Sequence, residues 1–185
     1  MSLLLEKLRY KNKKIKELNH QKGANMTYGT ILRKGEKYYT NFHSIFENLD
    51  NMQKEYNWLI TDCVCYPKDE EIQDKLLSEY TWLTGEELTR LVKTQDFQWI
   101  WGAIIGFTKE VTIADILNHP LPISQDYNGY FENPFSLQHP LSDVEIYAFD
   151  SSATILLSKE KNIVDKFRLA FPLSENLWKV NESYE

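Results

Sequence analysis

Residues 56–66 read Tyr-Asn-Trp-Leu-Ile-Thr-Asp-Cys-Val-Cys-Tyr, and this stretch decides the fold. On an extended strand successive side chains alternate between faces. Trp58, Ile60, Val64 and Tyr66 then share one face, and Leu59, Cys63 and Cys65 the other. A strand that is apolar on both faces belongs in the middle of a covered sheet. Pro67 ends it, because proline cannot donate to a strand ladder. Residues 97–107 have the same character and supply a second central strand. Its Gly102 and Gly106 lie on one face, where a helix or side chain can approach closely.

Outward from these two strands the remaining elements follow from periodicity and punctuation. Residues 27–34 read as a strand closed by a turn at Gly35, and 144–149 with 153–158 as a hairpin around Asp150-Ser-Ser. Phe42, Ile45, Phe46, Leu49 and Met52 recur at helical spacing and predict a helix over 41–53. Ile72, Leu76 and Tyr80 predict another over 69–80. Thr84-Gly-Glu-Glu87 is a capping box that opens a helix carrying Leu88, Leu91 and Val92. Thr112 caps a short helix with Ile113, Ile116 and Leu117. Ser158 caps a last one with Ile163, Val164, Phe167 and Phe171, and Pro172 ends it. The order of elements predicts an α+β domain over 26–185, with a mixed, mostly antiparallel sheet of about five strands packed with helices.

The first 25 residues differ from the rest. They hold seven Lys or Arg against Glu6 and Glu17, a net of +5, so the remainder carries −11 within a total of −6. Leu4, Leu8, Ile15 and Leu18 mark one stripe of a basic amphipathic helix, with Gly23 as its stop. Three readings stay open for this extension. It docks on the acidic domain, in cis or in a neighbouring copy, which leaves self-association open; it is a loosely ordered appendage; or it contacts a membrane surface or nucleic acid.

The acidic balance argues against duplex nucleic acid as a partner of the whole surface, since phosphate binding wants Lys and Arg. No apolar run approaches the roughly 20 residues that span a bilayer, and Glu6, Lys7 and Arg9 interrupt any secretory segment. The expected location is cytoplasmic, without membrane association. The two cysteines, Cys63 and Cys65, read as small buried hydrophobes. Residues two apart on a regular strand hold their Cβ atoms too far apart for a relaxed disulfide, and no second ligand pair makes a zinc site.

Chemical signatures are sparse. No Gly-x-x-x-x-Gly-Lys or Gly-x-Gly-x-x-Gly loop is present to cradle phosphates, so no cofactor is expected. His20, His43, His119 and His139 show no His-x-x-x-His spacing, so no metal site is expected either. His119 and His139 flank a long segment over 119–141, each followed by proline. With Asp126 inside it and Asp62 on the central strand, they are the candidate catalytic groups of a small hydrolase-like enzyme. The same segment carries Asp126, Tyr127, Tyr130, Phe131, Glu132 and Phe135. Aromatic anchors rimmed by carboxylates suit a protein-binding hot spot; the other reading, which carries more weight, is a loop folded over the sheet with its rings covering the core.

Tyr56-Asn-Trp-Leu-Ile60, Gln98-Trp-Ile-Trp-Gly102 and Asp143-Val-Glu-Ile-Tyr-Ala-Phe-Asp-Ser-Ser-Ala-Thr154 together resemble a family of small bacterial proteins known only as a domain of unknown function. The resemblance runs from about Met26 to Pro172 and implies no transferable activity. Residues 145–157 also resemble segments of bacterial toxin-immunity proteins, which are cytoplasmic, often acidic inhibitors. That resemblance implies a non-catalytic, protein-binding domain whose acidic face steers a basic protein partner.

Overall fold

The computed structural model describes residues 26–95 and 97–183. The helix expected within residues 1–25 lies outside them. Seven strands form one sheet: β1 (Tyr28–Leu32), β2 (Asn57–Cys65), β3 (Tyr80–Thr84), β4 (Trp99–Phe107), β5 (Val144–Phe149), β6 (Ala153–Ser158) and β7 (Glu175–Asn176). Their order is β3-β2-β4-β5-β6-β1-β7, and every neighbouring pair is antiparallel. The α+β class and the mostly antiparallel sheet are as expected. The count is seven strands where about five were expected, and no parallel pair occurs among the described strands.

Among the described residues six helices accompany the sheet: α1 (Phe42–Asn48), α2 (Glu70–Leu76), α3 (Gly85–Thr94), α4 (Ile113–Ile116), α5 (Lys161–Ala170) and α6 (Leu177–Glu182). The expected helix over 41–53 stops at Asn48. Asp50 and Asn51 take the left-handed conformation, with φ of 57° and 56°, and a short 3₁₀ turn over Met52–Glu55 follows. The helix expected over 69–80 ends at Leu76, and Tyr80 opens β3 instead. In β3, Thr81 and Leu83 are buried while Tyr80 and Trp82 are half-buried, which is strand periodicity. The Thr84 capping box forms as read: Glu87 N–H donates to Thr84 Oγ1 at 3.3 Å, and Thr84 N–H donates to Glu87 Oε2 at 2.8 Å. Ser158 is a correction. It closes β6 and accepts from Glu160 N at 2.9 Å, and the N-cap of α5 is Glu160, which makes no side-chain cap bond.

Each face of the sheet has its own cover. On one, Phe42, Ile45 and Phe46 of α1, Leu76 of α2, Leu88 and Val92 of α3, and Ile163, Val164 and Phe167 of α5 pack on Trp58, Ile60, Ile104 and Ile146. On the other, Leu59, Ile105, Tyr147 and Ile155 lie under Ile116, Tyr130 and Phe135 and under Leu177 and Val180 of α6. Burying each such side chain is worth about 1.5–3 kcal/mol relative to leaving it exposed. The close approach expected at the β4 glycines occurs at Gly106. A Cβ there would meet Val144 Cγ1 at 2.6 Å and the Trp58 ring at 3.1 Å.

The central strand departs from simple alternation. Its pairing with β4 runs from Thr61–Ala103 to Val64–Trp101 and then Cys65–Trp99, so β2 carries an extra residue. Asp62 sits at that bulge with φ 48°. As a result Cys63 and Cys65 fall on the face of Trp58 and Ile60, opposite to the alternation expected. Tyr66, expected beside Trp58, is 67% exposed. Among the described residues no helix is long and apolar enough to cross a membrane.

Candidate functional site

The second face of the sheet is roofed by the chain between α4 and β5, and two carboxylates hold that roof. The first is Glu145, the second residue of β5. Its neighbours Val144 and Ile146 point to the helical face, so Glu145 points to the other, alongside Tyr147. It is 0% exposed. Glu145 Oε1 accepts from His139 N at 2.9 Å and from Ser142 Oγ at 2.8 Å. Oε2 accepts from Gln138 N at 2.8 Å and from Tyr147 Oη at 2.6 Å. Both oxygens are thus saturated by neutral donors. Burial pushes the Glu145 carboxyl above its ordinary value, and the four donors pull it back.

The second carboxylate is Asp62. The left-handed bulge aims it at the start of the roof, where Oδ2 accepts from Ser124 N and Gln125 N, each at 2.7 Å. Gln125 Nε2 adds a bond to Oδ1 at 3.0 Å. Between the two anchors the roof is stitched to itself and to the sheet. Gln138 donates from Nε2 to Ile123 O at 2.7 Å and accepts from Ile123 N at 3.1 Å. Thr61 Oγ1 donates to Pro122 O at 2.6 Å. Asn181 of α6 donates to Tyr130 O at 2.9 Å.

The candidate catalytic groups divide. His119 and His139 do come together, their rings 5.3 Å apart and edge to face. His139 is fully buried, and both of its ring nitrogens are engaged. Leu141 N donates to Nδ1 at 3.2 Å, and Nε2 lies 3.2 Å from Ile116 O. An accepting Nδ1 puts the proton on Nε2, so the ring is the neutral tautomer. Burial lowers its pKa, consistent with that state. Asp62 is committed to the main chain of residues 124 and 125, and Asp126 is exposed at φ 56°. Neither carboxylate bonds to either imidazole in the described structure. The arrangement orients a roof; it leaves no imidazole nitrogen for proton transfer at His139.

The candidate binding residues divide too. Tyr130 and Phe135, read as surface anchors, are 0% and 7% exposed and belong to the core under the roof. Tyr130 packs on Tyr127 at 4.7 Å and on Tyr147 at 4.9 Å, and donates to Ser124 O at 3.1 Å. Desolvation raises the Tyr127 and Tyr130 phenols, so both stay protonated. Tyr127 and Phe131 are half-buried, while Asp126 and Glu132 are exposed. Ile123 and Leu117 add exposed apolar side chains, at 43% and 44%.

Sequence reasoning overlooked Glu145, Gln138, Ser142 and Tyr147 as a unit. The available signal was an acid at an inner position of the apolar run Val-Glu-Ile-Tyr-Ala-Phe, which demands buried partners. Among the described residues no group of three or more His, Cys, Asp or Glu is placed to hold a metal ion. Comparison of the chain with protein-family models, with curated proteins and with solved structures finds no match.

Proposed function

We propose that this chain is a non-catalytic protein-binding domain of the inhibitor type, whose surface for a basic partner is the outer side of the roof over 119–141. One observation carries the reading. A long irregular connection is held in one shape by two carboxylates that accept from four of its own amides, those of Ser124, Gln125, Gln138 and His139. Connections of this length inside a compact fold are usually functional or disordered, and this one is held in place by its hydrogen bonds. A surface shaped in advance loses less conformational freedom on binding. Its exposed side presents Asp126 and Glu132 with Ile123 and the half-buried Tyr127 and Phe131, and the residues from 26 onward hold 14 Lys or Arg against 25 Asp or Glu. Such a balance raises the encounter rate with a cationic surface and weakens as salt rises.

The test uses the full chain as bait in lysate of its own source cells, beside the variant Asp126→Lys/Glu132→Lys. Both positions are exposed, and circular dichroism would verify that the variant keeps the fold despite the left-handed backbone at Asp126. The expected outcome is a stoichiometric basic protein on the wild-type bait, reduced at moderate salt and at least about tenfold weaker on the variant. Equal capture of that protein by both baits would remove the roof as the surface.

A further inference from the structure

The two thiols of the chain lie side by side. Cys63 Sγ and Cys65 Sγ are 3.3 Å apart, closer than a regular strand allows for residues two apart. The strand is irregular here: its pairing with β4 shifts between Thr61 and Val64 and again between Val64 and Cys65, and both cysteines lie in the core beneath the helices. This is also the least supported part of β2. β3 pairs with β2 only as far as Thr61, and the register to β4 shifts on both sides of Val64. Segments with few ladder bonds open locally at low free energy. Cys63 keeps 8% exposure, and Cys65 has none. The Cys63 S–H donates to Cys65, which holds the Cys65 thiol below its ordinary value. The same hydrogen bond, with burial, pushes the Cys63 thiol above its ordinary value, so within the closed pair Cys65 is the sulfur that loses its proton first.

We infer that Cys63 and Cys65 form a reversible intramolecular disulfide by exchange with a low-molecular-weight disulfide. When the segment opens and the hydrogen bond that keeps the proton on Cys63 is lost, Cys63, the sulfur with solvent exposure, attacks as a thiolate one sulfur of the external disulfide and expels its other half as a thiolate. Cys65 then attacks Sγ of Cys63 and expels the second half. One S–S bond breaks and one forms. Two electrons pass from the cysteine pair to the external disulfide, and the protons of the two thiols end on the two expelled thiols. A bridge over a single intervening residue closes too short a loop to restrain the unfolded chain much. It therefore belongs with the labile, responsive disulfides rather than the structural ones.

The experiment incubates the native full-length chain in buffers of reduced and oxidised glutathione, quenches with acid, alkylates with a maleimide in denaturant, and weighs the intact protein. The expected product has lost two hydrogens and both alkylation sites. Its equilibrium constant for bridge formation should be at least about tenfold larger in the native than in the urea-unfolded chain, equivalent to ~30 mV. Cys65→Ser should stop at a single glutathione adduct on Cys63. The inference is overturned if the native wild-type protein stops at that adduct. It is also overturned if the native constant does not exceed the unfolded one, or if Cys65→Ser takes up no glutathione while folded.

Discussion

Glu145 and His139 show how a buried ionisable group can be structural. The Glu145 carboxylate gathers two amides and two hydroxyls, and His139 gives one of those amides while its ring bonds Ile116 O and Leu141 N. Removing the acceptor strands its donors, and each buried unpaired donor costs about 1–3 kcal/mol. Glu145→Ala should therefore lower the unfolding free energy by more than ~3 kcal/mol in urea titration. Glu145→Gln should lose less, because its amide nitrogen must face only one of the Gln138 and His139 N–H groups. The pH dependence carries a definite sign. Burial raises the Glu145 pKa from its ordinary 4.5, so the folded state holds that proton more tightly. The resulting stability is full below 4.5 and is lost as pH rises through the folded value. His139 works in the opposite sense: its lowered pKa supplies stability above 6.5 that is lost as pH falls. Measured against Glu145→Gln, the wild type should be relatively most stable at the acid end. A difference that grows with pH would contradict the assignment.

At the scale of elements, the bulge in β2 joins the sheet to its roof. A straight β2 would leave Asp62 within the ladder; the left-handed turn at φ 48° swings it to the amides of Ser124 and Gln125. Aspartate is among the residues that tolerate this conformation, so Asp62→Ala removes both the anchor and the backbone preference. That variant should lose about 1–3 kcal/mol and speed amide hydrogen exchange at residues 124 and 125, while the exchange of β5 and β6 stays slow. Uniform acceleration across the sheet would mean that Asp62 supports the whole fold and not the roof alone. The long elements were legible because their periodicity is strong: β4, the β5–β6 hairpin and the Thr84 capping box stand as read, and β2 stands as a central strand although its faces beyond Thr61 do not. β3 and β7 were not legible. Tyr80 extends the helical spacing of Ile72 and Leu76 by chance, and β7 is a strand of only two residues.

Across the whole molecule, one sheet face is closed by helices and the other by an irregular roof with α6. The roof has few bonds of regular structure, so it depends on what pins it. Asn181 holds Tyr130 O, Asn133 donates to Trp178 O at 3.0 Å, and Leu177 is 0% exposed beneath. Ending the chain at Ser174 would remove β7 and α6 together. The shortened chain should bare the apolar second face, bind a hydrophobic dye such as ANS, and unfold with a shallower denaturant dependence than the full chain. An unchanged cooperative transition would show that the roof closes the sheet without α6. The candidate site follows the same division. Asp126 and Glu132 lie outside the roof and Tyr130 and Phe135 inside it, a distinction that a run of alternating aromatic and acidic residues does not contain.

By itself, the sequence determined which segments become strands and helices wherever apolar periodicity is long enough, and that these combine in an α+β fold with a largely antiparallel sheet. It also carried the charge imbalance, because that is a matter of composition. Only the tertiary structure decided the strand order, which face the two cysteines take, the burial of Tyr130 and the role of Glu145. These depend on which faces meet across distant parts of the chain. A single bulge at Asp62 reverses the local alternation, and one carboxylate reaches amides that no sequence spacing brings near it.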